Sequence, residues 1–336
     1  MLELNEANAP RYLLQRNRIA SLQDVRVASL GGGVSNTVLL VETPSERFVL
    51  KQSLPKLRVQ DDWFADQTRI FREAECIRAM ASVLGPGIVP DVLFEDRKQF
   101  IIAISSAPAA SVVYKDMLIS GSASAELASR AGEILSRMHV AAARSSELLT
   151  KFQDIEAFRQ LRIDPYYGKI SEVHPQFKPQ VDALVAAMLS RRQTLVHGDY
   201  SPKNMLVTGQ EIFLIDFEVV HCGDPSFDTA FFLNHLFLKA LRFPEHQALY
   251  LQSVRNFWRS YAGGMEHAQR RRLEKHALEQ LGCLLLARVD GKSPVEYITE
   301  ERLKQKVRRL SQRVLLETPA ELEQVAAWVG HLEPQM

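Results

Sequence analysis

TLVHGDYSPKNMLVTGQEIFLIDFEVVHCGDPSFDTAFF, residues 194–232, alternates short apolar runs with polar loops. It reads as a strand at Thr194–Val196, a polar loop at His197–Asn204, a two-stranded hairpin, and a second polar loop opening at Asp216. A buried hairpin with acidic and amide groups at both ends is an odd choice for a plain core. Asp199, Asn204 and Asp216 fall at one end of that hairpin, and oxygen ligands of this kind suit a hard cation.

The chain around this stretch has 336 residues, long for one compact core, so two lobes are expected. A balance of 41 Lys+Arg against 40 Asp+Glu argues against a nucleic-acid or anionic-membrane surface, which needs a basic excess. Cys76, Cys222 and Cys283 are widely separated and odd in number, which fits neither a disulfide framework nor a metal knuckle and favours a reducing compartment. The first residues, MLELNEANAP, carry acids and no apolar run, unlike a secretory leader, and no apolar stretch is long enough to span a bilayer. A cytoplasmic location is expected. The oligomeric state is not readable.

Towards the N-terminus, residues 6–22 suit a leading helix. The runs VRVASL, NTVLLVET and RFVLKQ then read as an antiparallel three-stranded meander. Gly31, Gly32 and Gly33 sit at its first turn, with Ser35 just after, where backbone amides can approach phosphate oxygens unobstructed. Glycines there also simply relieve a tight turn, and the full G-x-G-x-x-G spacing is absent. Lys51 ends the third strand. Residues 66–83 have helical periodicity, with Ile70, Ala74, Ile77 and Met80 on one stripe and Glu73 among them; Glu73 is the expected partner of Lys51, and Glu75 its competitor. Two further strands follow, and the small-residue run Ser105–Ala110 reads as a hinge. Backbone groups of Ser105–Ala107 suit an adenine edge. The expected division is 1–106, a nucleotide-binding lobe, and 107–336, a catalytic and substrate-binding lobe.

From Ser124 onward the chain is mostly helical. Residues 125–143 form an amphipathic helix whose His139 is a packing residue, 152–177 are irregular, suggesting short helices or a mobile loop, and 179–190 lead into the opening stretch. Helices at 226–241, 245–261, 267–289, 300–316 and 319–329 complete the chain.

The spacing then points to chemistry. Four residues separate Asp199 from Asn204, as in the H-R-D-x-x-x-x-N loop of phosphoryl-transfer enzymes, and Asp216-Phe217 falls where that scheme has its metal-binding aspartate. HGDYSPKN, followed by LIDFE and GDPSFDTAF, resembles the signature of the aminoglycoside phosphotransferase / choline kinase-like family. The glycine turn, Lys51 and Glu73 occur in that family's order. The resemblance implies an α+β, protein-kinase-like two-lobed fold, with a small antiparallel-sheet N-lobe, a larger mainly helical C-lobe, and ATP in the cleft. It implies Asp199 as the catalytic base, Asn204 and Asp216 as Mg2+ ligands, and Lys51, oriented by Glu73, on the ATP phosphates. Gly32, Gly33, Ser35, Ser105 and Ala107 would complete the nucleotide site. His197 would pack beneath the loop, and Asp228 would accept hydrogen bonds from its amides.

Two departures bear on the substrate. Glu218 stands where protein kinases have the glycine of D-F-G, beside the metal or paired with a Lys or Arg. Only eleven residues separate Asp216 from Asp228, too few for a peptide-docking activation segment, so a small-molecule hydroxyl is the expected acceptor. Acceptor contacts are sought at Glu218, His221, Arg288, Asp290 and Lys292, the last three in LARVDGKSPVEY, where polar groups interrupt an apolar helix. A capped helix end also explains Gly291 and Pro294 there. With Arg270–Arg272 and no acidic excess, a sugar, amino alcohol or amino acid suits better than a cationic aminoglycoside. The competing expectations are a nucleotide-binding pseudokinase, against which Lys51, Asp199, Asn204 and Asp216 argue, and a protein kinase.

Overall fold

The structure is a computed structural model and describes residues 3–23, 25–31, 34–58 and 63–331. It divides into two compact units, Met1–Ser111 with Phe213–Val219, and Val112–Ile212 with Val220–Met336.

In the first unit, α1 (Ala9–Gln15) precedes a five-stranded antiparallel sheet of β1 (Arg26–Ser29), β2 (Asn36–Glu42), β3 (Arg47–Ser53), β4 (Val92–Asp96) and β5 (Ile101–Ser105), in the order β1-β2-β3-β5-β4. The leading helix is shorter than its composition suggests, because Asn17 turns into the left-handed region at φ 54°. Strand alternation sorts the side chains. Leu39, Val41, Phe48, Leu50, Ile101 and Ala103 pack in one cluster with Ala9, Tyr12 and Leu13. Lys51 is one residue out of phase with Leu50. α2 (Arg69–Leu84) lies against β3, β4 and β5 and buries Ile70, Ala74, Ile77 and Met80, with Glu73 in the same buried stripe.

The second unit begins at β6 (Val112–Val113), which pairs with β8 (Met205–Thr208), while β7 (Thr194–Val196) pairs with β10 (His221–Gly223). At Phe213, within β9 (Glu211–Leu214), the chain passes into the first unit and returns after Val219. The rest is helical: α3 (Tyr114–Ile119), α4 (Ala125–Ala143), α5 (Ser146–Lys151), α6 (Glu156–Phe158), α7 (Lys169–Val173), α8 (Lys178–Ser190), α9 (Ser226–Arg242), α10 (Gln247–Ala262), α11 (His267–Asp290), α12 (Glu301–Glu317) and α13 (Leu322–His331).

α4 starts at Ser124, whose hydroxyl accepts the Leu127 amide at 3.2 Å. It packs on α10, while α9 and α12 pack on α11. Every residue of α9 from Ser226 to Leu241 is buried, so its polar members Asp228, Asn234, His235 and Lys239 sit in the interior. Residues 152–177 take the short-helix form of the two expected there. Between α6 and α7, Arg159–Gly168 winds as a π-helix with Pro165 inside, a residue that has no N–H to give a regular ladder. Among the described residues no helix is long and apolar enough to cross a membrane.

Candidate active site

The first unit carries a buried cation between two carboxylates. Lys51 Nζ lies 2.7 Å from Glu73 Oε1 and 2.7 Å from Asp216 Oδ1. Burial works against the ammonium charge, but Asp216 and Glu73 outweigh it and hold Lys51 above the usual lysine range. Glu73 rather than Glu75 makes this pair because α2 turns position 73 towards the sheet, where it is fully buried. Asp216 adopts φ 73°, a left-handed conformation that Asp tolerates better than most residues.

Glu218 is held three ways. Ser35 Oγ donates at 2.6 Å, Asn36 Nδ2 at 2.9 Å, and Arg69 Nε at 3.0 Å. Arg69 also donates to the carbonyls of Ser35 and Leu54, so one buried guanidinium ties α2, the start of β2 and the Asp216 loop together. The Glu218 carboxylate is thus engaged within its own unit, the pairing with an Arg that was one of the two readings for it. Ser35 likewise spends its hydroxyl on Glu218. Gly32 and Gly33 lie outside the described residues.

Ser105 and Ala107 line a cavity of ≈ 410 Å3 in the same unit, together with Arg47, Val89, Asp91 and Phe213. The Ser105 amide donates to the Asp91 carbonyl at 2.8 Å, and the Ala107 carbonyl accepts from Arg47 Nη1 at 3.3 Å. Part of the backbone expected to read an adenine edge is therefore already bonded.

The second unit builds a clamped loop after β7. Asp228, at the start of α9 and fully buried, accepts from the His197 amide at 2.6 Å and the Gly198 amide at 2.9 Å. Gly198 takes φ 77°, which favours glycine. His197 Nδ1 accepts the Asp199 amide at 3.2 Å, beneath the loop. His139 backs the clamp, with Nε2 3.2 Å from Asp228 and Nδ1 2.9 Å from the Tyr261 hydroxyl. Asn204 Nδ2 donates to the Asp199 carbonyl at 2.9 Å, which leaves its amide oxygen as the group to offer a cation.

The Asp199 carboxylate faces two cations, Arg162 Nη2 at 2.9 Å and Lys203 Nζ at 2.8 Å. Arg162 also donates from Nε to the Gly198 carbonyl at 2.6 Å. Sequence reasoning overlooked Arg162 and Arg69. The signal for Arg162 was a lone guanidinium among Leu161, Ile163, Pro165, Tyr166 and Tyr167.

The remaining acceptor candidates separate on their partners. Asp290 is engaged by Arg308 at 2.6 and 2.9 Å and by His174 at 2.8 Å. His221 is buried and stacks on Phe158 at 4.0 Å. Lys292 gives its amide to the Pro165 carbonyl. Arg288 reaches the Tyr166 hydroxyl at 2.7 Å, and the Tyr166 ring in turn lies 5.9 Å from the Arg162 guanidinium, which links Arg288 to Asp199 through two intervening side chains.

The family model described as "Phosphotransferase enzyme family" matches residues 26–257. A methylthioribose kinase from Exiguobacterium sibiricum is 23% identical over 71% of this chain and 68% of its own length. Methylthioribose kinase 1 of rice, Oryza sativa subsp. japonica, is 24% identical over 70% of this chain and 62% of its own. Among solved structures, an amicoumacin kinase in complex with AMP-PNP and Ca2+ aligns with a TM-score of 0.60 at 15% identity, covering 94% of this chain and 97% of that one. A choline/ethanolamine kinase family protein from Mesorhizobium loti aligns at 0.55 and 16%, covering 97% and 99%. At these identities the structural likeness shows the fold alone, which is the α+β protein-kinase-like one.

Proposed function

Because the chain belongs to the phosphotransferase enzyme family, we propose that it is an ATP-dependent small-molecule kinase, moving the γ-phosphoryl group of ATP to a hydroxyl. The observation that carries this reading is the Asp199 loop, a carboxylate presented on a backbone that Asp228 and Asn204 hold in one shape. Phosphoryl transfer asks a protein chiefly for alignment and charge neutralisation, and preset geometry of this kind supplies the first.

In this reading Asp199 accepts the acceptor's hydroxyl proton as the new O–P bond forms and the β–γ bridging bond breaks, the leaving charge staying on ADP. Lys51, oriented by Glu73, neutralises phosphate oxygens. Asn204 and Asp216 are hard oxygen donors that fit Mg2+. Bound Mg2+ would supply charge neutralisation on the phosphates. Arg162 and Lys203 hold the Asp199 carboxylate in position.

The acceptor is a small molecule because the segment from Asp216 to Asp228 holds only β10 and the first residues of α9. Methylthioribose, which names the curated relatives, is one candidate acceptor. A cytoplasmic setting fits, with ATP at hand and the three cysteines free and buried.

Incubation with Mg-ATP and a panel of hydroxyl metabolites, methylthioribose included, is expected to yield a phosphorylated product by mass spectrometry. Asp199→Asn is expected to keep ATP-dependent thermal stabilisation while transfer falls by roughly 10²–10⁴-fold. Wild-type turnover in that variant would remove Asp199 from the role of base.

A further inference from the structure

α9 carries cationic and imidazole groups that the roles above leave unused. Phe231, His235 and Lys239 recur every four positions and so share one face of the helix. Lys239 is 0% exposed, and its ammonium lies 4.9 Å over the Tyr297 ring and among the described residues donates only to neutral oxygens, the His235 carbonyl at 3.4 Å and the Tyr297 hydroxyl at 3.5 Å. Both distances exceed the ordinary reach of an N–H···O bond. Arg288 of α11, half-buried, donates to two neutral hydroxyls, Tyr166 at 2.7 Å and Ser293 at 3.1 Å, and its buried Nε has no hydrogen-bond partner among the described residues. His235 is buried, and its Nε2 likewise has no hydrogen-bond partner among the described residues.

Among the described residues no carboxylate comes within ion-pair distance of Lys239 or Arg288. Buried cations are ordinarily paired. Here the strongest charged neighbours have the same sign. Burial first, then Arg288 and Lys239, push His235 well below the usual histidine range. Burial and Arg288 bring Lys239 down to about 7, against the weaker pull of Glu296, which itself sits 2.8 Å from Lys115.

This cluster connects to Asp199 by direct contact. Arg162 pairs with Asp199, and its guanidinium lies 5.7 Å from the Phe231 ring and 5.9 Å from the Tyr166 ring. Tyr166 bonds Arg288, and Phe231 meets His235 edge-on at 5.4 Å. From Phe231 to Lys239 the helix advances about 12 Å, the length of a small metabolite.

We propose that Arg288, Lys239 and His235 form the anion-binding end of the acceptor site, so that the acceptor carries a carboxylate or a phosphate monoester on the same molecule as its reacting hydroxyl. This rests on the phosphotransferase reading of Asp199. An anion there gives both cations the opposite charge the protein withholds, and the planar guanidinium of Arg288 can hold it with two parallel hydrogen bonds. A neutral sugar leaves both cations unpaired, and a cationic acceptor is repelled.

The test measures kcat and KM with Mg-ATP for D-glycerate and sn-glycerol 3-phosphate against glycerol, and for D-gluconate against D-glucose, with methylthioribose and choline as neutral and cationic acceptors. The anionic member of each set is expected to win in kcat/KM by roughly 10- to 100-fold, and the two arms tell carboxylate from phosphate. Arg288→Gln and Lys239→Met are each expected to raise KM for the anionic acceptor by a similar factor, with a smaller change in kcat. Equal or better turnover of glycerol, glucose, methylthioribose or choline overturns the proposal while leaving the kinase reading intact, as does an anion preference that survives both variants. Absence of phosphorylated product from every acceptor class defeats the kinase reading, and this proposal with it.

Discussion

Asp216 shows how much one residue can be asked to do. Its carboxylate sits 2.7 Å from Lys51 and its backbone stands at φ 73°. Alanine there would confound lost charge with backbone strain, because a non-glycine residue without a short polar side chain pays more for that conformation. Asp216→Asn keeps shape and tolerates the left-handed region, so it isolates the charge. ATP is expected to raise the melting temperature of this variant equally with and without Mg2+, whereas the wild-type shift grows with Mg2+. A Mg2+-dependent gain that persists in the variant would take Asp216 out of the metal site. At this scale the order of Lys51, Asp199, Asn204 and Asp216 was visible in the sequence, because each stands in a local motif. Arg69 and Arg162 were not. Their partners Glu218 and Asp199 lie 149 and 37 positions away (218 − 69; 199 − 162), and no local pattern connects them.

Among elements, the α4–α10 crossing depends on a single missing methyl group. A Cβ at Gly132 would stand 2.4 Å from the Phe257 carbonyl and 3.0 Å from the Tyr261 amide nitrogen, both backbone atoms that cannot swing away. Gly132→Ala is therefore expected to destabilise the protein by about 1–3 kcal/mol despite alanine's better helix propensity, measured as a lower urea midpoint. An unchanged midpoint would mean that the two helices can part at no cost. Amphipathic helices such as α4 and α2 were legible because a 3.6-residue stripe marks which face is buried. The π-helix at Arg159–Gly168 was not, since Pro165 and paired tyrosines look like loop residues until surrounding helices enclose them.

For the molecule as a whole, Lys239 ties charge to stability. Its proton leaves the folded chain near pH 7, chiefly because of burial and then Arg288, while the unfolded chain holds it to about 10.4. Between those values the unfolded state binds more protons, so stability rises with pH, by at most about 1.4 kcal/mol per pH unit from this group. Urea unfolding of wild type and Lys239→Met at pH 7 and 9.5 is expected to show a difference that shifts in favour of wild type at the higher pH. A constant difference would mean that Lys239 stays charged when folded. Arg288, Lys115, Glu296 and Asp116 are the other charges acting on that ammonium, and both proteins retain them.

By itself the sequence determined the α+β kinase-like fold and the order of its chemical groups, because apolar periodicity and the spacing of HGD, Asn204 and IDF are written over short distances. Tertiary structure alone decided which charges are satisfied. It set Asp199 between Arg162 and Lys203, engaged Glu218 with Arg69, drew residues 213–219 into the first unit, and left Lys239 and Arg288 with neutral hydrogen-bond partners. The physical reason is that desolvation and Coulomb energy depend on the three-dimensional neighbourhood of a charge, which distant segments build only when the chain has folded.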